Sequence, residues 1–398
     1  MTILENDLLN TSIEIKNIRA EIPSLKDVVF LNSGWTGPTP RVVLEAIEKS
    51  IKNQILLAPS SKDAVKSQVS ELLRAKAAIA DYFETESKNI CLTSSTTLGI
   101  NLALNAYDWT ENDEIITTTN DHASVIIPLY NLKERFNVKI KLIDFNWNDP
   151  VKSFRDNLSK NTKAALFCHV FWTTGNTLPL KEIISELRNK NVISVIDGAQ
   201  SAGALKINLD DLNPDFYCVP GQKWLLGPVG TGFLYVNKAL FGKRPPWPSV
   251  LGYESAGDAS DDGQYDLNFK WSPKKDAGLF EFGGMNNSLF HGLAAAVDFS
   301  KEKLSRFDIY KRMYSLAEYL SLRLKESKDI IVLTSNLHAG IVSWQHKKKS
   351  AHEIVNSLWT KNKILIREIP NFNFCRASTH YFNTKEEIDF LIDCLEII

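Results

Sequence analysis

Two stretches decide the reading of this chain: Val192-Ile193-Ser194-Val195-Ile196-Asp197-Gly198-Ala199-Gln200 and Phe216-Tyr217-Cys218-Val219-Pro220-Gly221-Gln222-Lys223-Trp224. Each begins as a short, almost continuously apolar run and breaks at a glycine-containing turn that carries one charged side chain. Continuous apolar runs suit strands covered on both faces by helices, and in sheets of that kind ligands sit beyond the carboxyl ends of the strands. Asp197 and Lys223 therefore read as a carboxylate and an amine at the ends of neighbouring strands. The carboxylate can pair with a protonated ring nitrogen, and a desolvated amine has a lowered pKa that suits imine chemistry. The plainer readings are a cap on a following helix for Asp197 and a solvated surface side chain for Lys223.

Working outward, the same alternation of short apolar runs and helical patterns extends from about residue 85 to 240. Strands are expected at 90–92, 114–116, 138–143 and 164–170, with helices such as 124–136 and 180–189 between them. This order implies a largely parallel sheet with right-handed crossovers. The run 232–236 follows its predecessor after a short Gly/Pro turn and is expected to add antiparallel. Between about 241 and 275 the composition turns rich in Pro, Trp, Asp, Ser and Gly, an irregular connection. Beyond it, helices at 287–304 and 309–324, strands at 330–333 and 339–344, and a helix at 352–358 describe a smaller α+β unit. The expected division is a segment 1–28 packing on the small domain, a large domain 29–270 and a small domain 271–398.

Other strand ends carry further chemistry. The run at 90–92 leads into Thr93-Ser94-Ser95-Thr96-Thr97-Leu98-Gly99, where hydroxyls and free N–H groups at a helix start can hold a phosphate or simply cap the helix. The run at 114–116 leads to Asp121-His122, an imidazole able to lie on a flat ring or to move protons. Gly227-Pro228-Val229-Gly230-Thr231-Gly232 precedes a strand instead of opening a helix, so it is a tight turn and not a dinucleotide fingerprint.

The whole-chain figures narrow the function. With 398 residues, 44% hydrophobic and 23% charged, the composition is that of a folded globular protein, and a net charge of -1 argues against a nucleic-acid or anionic-membrane surface. No signal-peptide pattern or membrane-length apolar run is present. Five scattered cysteines without C-x-x-C spacing read as reduced thiols in a cytoplasmic protein, and no His/Cys spacing suggests a metal site.

Phosphate cup, ring-facing histidine, ring-nitrogen aspartate and imine lysine, in that order along the chain, resemble the class V aminotransferase family of pyridoxal-phosphate (PLP) enzymes, which includes the cysteine desulfurases. The similarity runs from about Phe30-Leu31-Asn32-Ser33-Gly34 to Asn383-Thr384-Lys385-Glu386-Glu387-Ile388-Asp389. It implies PLP fold type I: a mostly parallel seven-stranded sheet with helices on both faces plus a smaller α+β C-terminal domain, in a homodimer. Carried over by motif, Ser95, Thr96 and Thr97 hold the phosphate, His122 stacks on the ring, Asp197 faces the ring nitrogen, Gln200 faces the ring hydroxyl and Lys223 forms the Schiff base. Arg376 matches the arginine for the substrate α-carboxylate.

Within the family, His169-Val170-Phe171-Trp172-Thr173-Thr174-Gly175-Asn176-Thr177-Leu178-Pro179 looks most like the cyanobacterial-type L-cysteine/cystine C–S lyases, with a related version in isopenicillin-N-epimerase-like members. Trp172 then shapes the substrate pocket. Arg367 fits the lyase pattern as a second carboxylate ligand, as in cystine, or else pairs with Glu368 or another acid near the site. The stretch from Arg367 to Phe374 lacks the loop cysteine of persulfide-forming desulfurases, and Cys375 reads as structural.

Three positions depart from the family. Gln222, grouped here with the cofactor-binding residues, replaces a histidine. Pro220 stands for a small hydroxyl residue, and Gly284 replaces a threonine that reaches the partner's phosphate. All three thin the expected phosphate grip.

The expected reaction is β-elimination from cysteine or cystine to pyruvate, ammonia and sulfide or a persulfide. The alternatives are desulfuration or selenocysteine lysis, epimerisation, transamination, or a catalytically idle PLP-fold binding protein.

Overall fold

The computed structural model describes residues 13–257, 271–305, 307–335 and 339–398. The first residues of the segment 1–28 and residues 258–270 of the irregular connection lie outside the described residues.

The apolar runs become a seven-stranded sheet: β1 Ile90–Thr93, β2 Glu114–Thr118, β3 Lys139–Ile143, β4 Thr162–Cys168, β5 Ile193–Asp197, β6 Phe216–Pro220 and β7 Gly232–Val236. Their order across the sheet is β1-β7-β6-β5-β4-β2-β3. β2 to β6 pair in parallel, while β7 runs antiparallel to both β1 and β6. The antiparallel strand thus lies inside the sheet between β1 and β6.

Side-chain alternation explains why the central runs are apolar throughout, while the edge strand β3, with Lys139 and Lys141, is not. Ile193 and Val195 of β5, with Phe216 and Cys218 of β6, join the core on one face. Ile196, Tyr217 and Val219 join the core on the other. A strand buried on both faces has no polar side to present. Helix α1 (Arg41–Leu56) and helix α2 (Lys62–Tyr82) pack with a long later helix, α3 (Asn287–Leu304). Although α3 lies beyond the composition break, its Phe290, Leu293, Ala294 and Val297 enter the core of the seven-stranded sheet.

A second, antiparallel sheet is built from β8 Ile330–Val332, β9 Ile341–His346, β10 Arg367–Ile369 and β11 Phe374–Ser378, in the order β10-β11-β9-β8. It has its own core around Trp344, Leu358, Leu391 and Leu316. Val29–Phe30 pairs in parallel with Ile364–Leu365, tying the start of the described chain to its end. Among the described residues, no helix is long and apolar enough to cross a membrane.

Because β1, β2, β4, β5 and β6 share one direction, their carboxyl ends open on one edge of the sheet. The turn after β5 is built tightly there. A Cβ at Gly198 would lie 2.2 Å from the Tyr217 ring. That ring cannot yield, since its hydroxyl is bonded to His169 Nδ1 at 2.9 Å and to Ser201 Oγ at 2.5 Å. Gly198→Ala is expected to lower unfolding free energy by about 1–3 kcal/mol. Gly242→Ala, where a Cβ meets nothing within 4 Å, should stay within about 0.5 kcal/mol of the parent. Denaturant unfolding of the two variants checks this, and equal midpoints would contradict it.

Candidate active site

A cavity of about 470 Å³ opens at that edge. Every residue singled out from the sequence lines it: Ser95, Thr96 and Thr97 after β1, His122 after β2, Trp172 after β4, Asp197 and Gln200 at the end of β5, Gln222 and Lys223 after β6, and Arg367 and Arg376 from the second sheet.

The three hydroxyls after β1 do different things. Ser95 is the N-cap of helix Thr96–Leu104, its Oγ accepting from Leu98 N at 3.2 Å. Thr97 Oγ1 donates to Ser124 Oγ at 2.8 Å. Thr96 Oγ1 is buried with no partner, and so is Gln222 Oε1. A buried polar atom without a partner costs stability unless a ligand satisfies it. A phosphate at the helix N-terminus would satisfy the Thr96 hydroxyl by accepting from it, whereas Gln222 Oε1, itself an acceptor, calls for a donor.

His122 caps the next helix, Ala123–Phe136, with Nδ1 accepting from Ser124 N at 3.1 Å. That contact puts the ring proton on Nε2. The Trp172 indole meets the imidazole edge-on, centroids 5.4 Å apart and planes at 89°. Burial, followed by the charges of Lys223, Arg367 and Arg376, lowers His122 to about 4. It is a neutral, flat ring at physiological pH.

Asp197 is buried, and one of its oxygens accepts from Ala199 N at 2.8 Å. No helix follows, so the carboxylate holds a turn instead of capping. Burial raises its pKa, against the opposing pull of the Lys223 charge and the Ala199 N–H. Lys223 is held in the turn after β6. Burial lowers its amine to about 8, with Asp197 opposing the shift and the Arg376 and Arg367 charges adding to it. Lys223 is thus not a solvated surface side chain.

Gln200 is locked at both ends: Nε2 donates to Gly34 O at 2.8 Å, and Oε1 accepts from Trp224 Nε1 at 2.9 Å. Ring nitrogen, ring hydroxyl, phosphate and aldehyde of PLP therefore each find a residue of suitable chemistry: Asp197, Gln200, Thr96 with Gln222, and Lys223.

The two arginines lie opposite one another on paired strands β10 and β11. Arg376 is buried, with Nη1 donating to Trp172 O at 2.7 Å, while Nε and Nη2 bond nothing. Burial and the Arg367 charge lower it to about 9, which leaves it charged at neutral pH. Among the described residues, no carboxylate pairs with either arginine. Glu368, the alternative partner for Arg367, bonds His352 Nδ1 at 3.0 Å instead. Two unneutralised cations side by side call for an anionic ligand.

The Trp172–Gly175 segment is stitched to the second sheet. Besides Trp172 O, Thr173 O accepts from Ser343 Oγ at 2.6 Å and Thr174 O from Thr334 Oγ1 at 2.5 Å. Of the departures, Pro220 lines the cavity. Gly284 takes φ +78°, a backbone that disfavours threonine. Sequence reasoning missed Gly34, Trp35 and Thr36, which line the cavity from an N-terminal turn, and Ser124. The asparagine–serine–glycine run before Trp35 was the available signal.

Comparison with known proteins supplies the lineage. The aminotransferase class-V profile matches residues 29–391. A probable cysteine desulfurase of Methanothermobacter thermautotrophicus is 27% identical over 96% of this chain and 98% of its own length. A solved C-DES mutant with glycine covalently linked to its PLP cofactor superposes with TM-score 0.88 at 26% identity, covering 95% of this chain and 98% of that one. The complex of the cystine C–S lyase C-DES with its reaction product cysteine persulfide gives TM-score 0.87 at 27% identity, covering 94% and 98%. The polar atoms left open at the strand ends and the family match over most of the chain agree: this chain belongs to the class V aminotransferase family.

Proposed function

We propose that the protein is a PLP-dependent C–S lyase that performs β-elimination on cystine and cysteine. One observation carries the reading: the site holds two arginines but no thiol. All five cysteines are free and buried. Burial pushes up every one of the five thiols, Cys375 to about 12. A desulfurase that passes sulfur through a persulfide needs an exposed thiolate, and a buried neutral thiol is inert.

When bound, PLP supplies an electron sink for the carbanion at the substrate α-carbon. Thr96, Gln222 and the helix N-terminus after Ser95 hold the phosphate. Asp197 would keep the ring nitrogen protonated, Gln200 would donate to the ring hydroxyl, and His122 would cover the ring face. Arg376 binds the α-carboxylate and, for cystine, Arg367 binds the distal one. Lys223 would anchor the cofactor, and its freed amine would take the substrate's α-proton. The C–S bond then breaks with its electron pair leaving on sulfur. Cystine and water yield pyruvate, ammonia and cysteine persulfide, and cysteine yields sulfide in place of the persulfide.

Exposed Ile51, Ile55 and Leu56 on α1, with Val65, Val69 and Leu73 on α2, support a homodimer, since surface apolar side chains grouped this way mark contact surfaces. The unpaired cysteines suit a reducing, cytoplasmic setting. The second sheet, with Arg376 in it, is proposed to act as the small domain that closes over substrate.

Turnover of cystine and of cysteine by the holoenzyme should give pyruvate as the main three-carbon product, measured against alanine. Alanine in excess would move the assignment to a desulfurase, as several relatives are named. The lysine gives a pH signature too. Its amine must be neutral to attack the PLP aldehyde, and burial favours the neutral form. The rate of PLP uptake by apoprotein, read from the visible absorption band, should therefore rise with pH around a midpoint near 8. A midpoint near the 10.5 of an ordinary lysine would contradict the buried placement.

A further inference from the structure

The N-terminal turn around Gly34 and Trp35 touches both arginines. Trp35 N donates to Asn32 O at 3.0 Å, and Gly37 N donates to Gln222 O at 2.7 Å, so the turn is closed on itself and fastened to the lysine loop. A Cβ at Gly34 would come within 3.2 Å of Arg376 Nη2. The next residue, Trp35, has its ring 3.5 Å from the Arg367 guanidinium carbon. The guanidinium carbon thus sits over the face of the ring. Trp35 is 57% exposed, so its ring is not there to fill a core.

A guanidinium stacked on an indole keeps all its in-plane N–H donors free. Arg367 has no carboxylate partner among the described residues, so those donors are available at the cavity. The antiparallel pairing of Arg367 with Arg376 sets the two cations on one side of the sheet. Arg376 is immobilised by burial and by Trp172 O. Arg367 is half-buried, and the contact that orients its plane is Trp35.

We infer that Trp35 is a specificity-determining positioning residue: its ring fixes the plane of Arg367 so that the guanidinium edge reads the distal carboxylate of a cystine-type substrate. The inference rests on the assignment of Arg367 to that carboxylate. Cysteine carries a single carboxylate, which Arg376 takes. The contribution of Trp35 therefore falls on the choice between substrates.

Steady-state kinetics of the holoenzyme with cystine and with cysteine test this in Trp35→Leu, Trp35→Phe and Arg367→Met. In Trp35→Leu the ratio of kcat/KM for cystine to that for cysteine should fall about five-fold, with the loss carried by the KM for cystine. Trp35→Phe keeps a ring face and should hold the ratio within about two-fold of the parent. Adding Trp35→Leu to Arg367→Met should change the ratio no further, which a merely structural role would not produce. If Arg367→Met lowers the ratio but Trp35→Leu does not, the inference about Trp35 is overturned and the arginine assignment stands. Equal losses for both substrates in Trp35→Leu would overturn it too. An unchanged ratio in Arg367→Met would overturn the arginine assignment and the inference with it.

Discussion

The structure depends on keeping a lysine amine, a carboxylate and two guanidinium groups in one cavity. Each is costly to bury alone, and the arrangement balances only in part. Asp197 supports the charge of Lys223, while burial and both arginines oppose it, and the outcome is an amine lowered to about 8. The arginines have no protein carboxylate to answer them among the described residues. The residual imbalance is positive, and it suits the ligands proposed for the site: a phosphate, a carboxylate and, for cystine, a second carboxylate. The sequence leads one to expect a phosphate grip thinned at Pro220, Gln222 and Gly284, yet the Thr96 hydroxyl is left open for it.

Holding that imbalance requires stiff walls. The Lys223 loop is clamped from several sides. Gly221 N donates to Thr231 O at 2.7 Å, Gly227 N to Gly221 O at 2.9 Å, and Gly37 N to the carbonyl of Gln222. A Cβ at Gly37 would meet Lys223 O at 2.3 Å, so the N-terminal turn leaves no space there. From the second sheet, His380 Nε2 contacts Trp224 O at 3.2 Å and its ring stacks on the Trp224 indole at 16°. Burial lowers His380 to about 3, so this support does not titrate near neutral pH. The same Trp224 donates to Gln200. Elements far apart in the chain thus converge on the residues flanking the lysine.

Strand ends were the legible part. Apolar runs, most of them continuous, located all seven strands of the large sheet, and the charged residues just beyond them proved to face one cavity. That worked because both faces of the sheet are covered, a condition written directly into the residues of the strands. The antiparallel sense of β7 followed from its short connection, but its place inside the sheet did not, since pairing order is decided by tertiary packing. At Ser95-Thr96-Thr97 three hydroxyls look equivalent in sequence, and only the geometry separates Ser95, whose Oγ caps the helix by accepting from Leu98 N, from Thr96, whose hydroxyl has no partner. Arg367 could have paired with its neighbour Glu368. On an extended strand adjacent side chains point to opposite faces, which sends Glu368 to His352 and Arg367 to the cavity. Trp35 was illegible for a different reason: its partner lies at the other end of the chain, and a single aromatic in a turn has no period to betray it.

The central claim is that Lys223, and no other lysine, bonds the cofactor beside Asp197. It is tested most directly by reducing the holoenzyme with borohydride, digesting it, and locating the pyridoxyl-modified peptide by mass spectrometry. The account predicts one modified peptide, containing Gly221-Gln222-Lys223-Trp224 with the label on Lys223. A label on any other lysine, or no stoichiometric label at all, would contradict it.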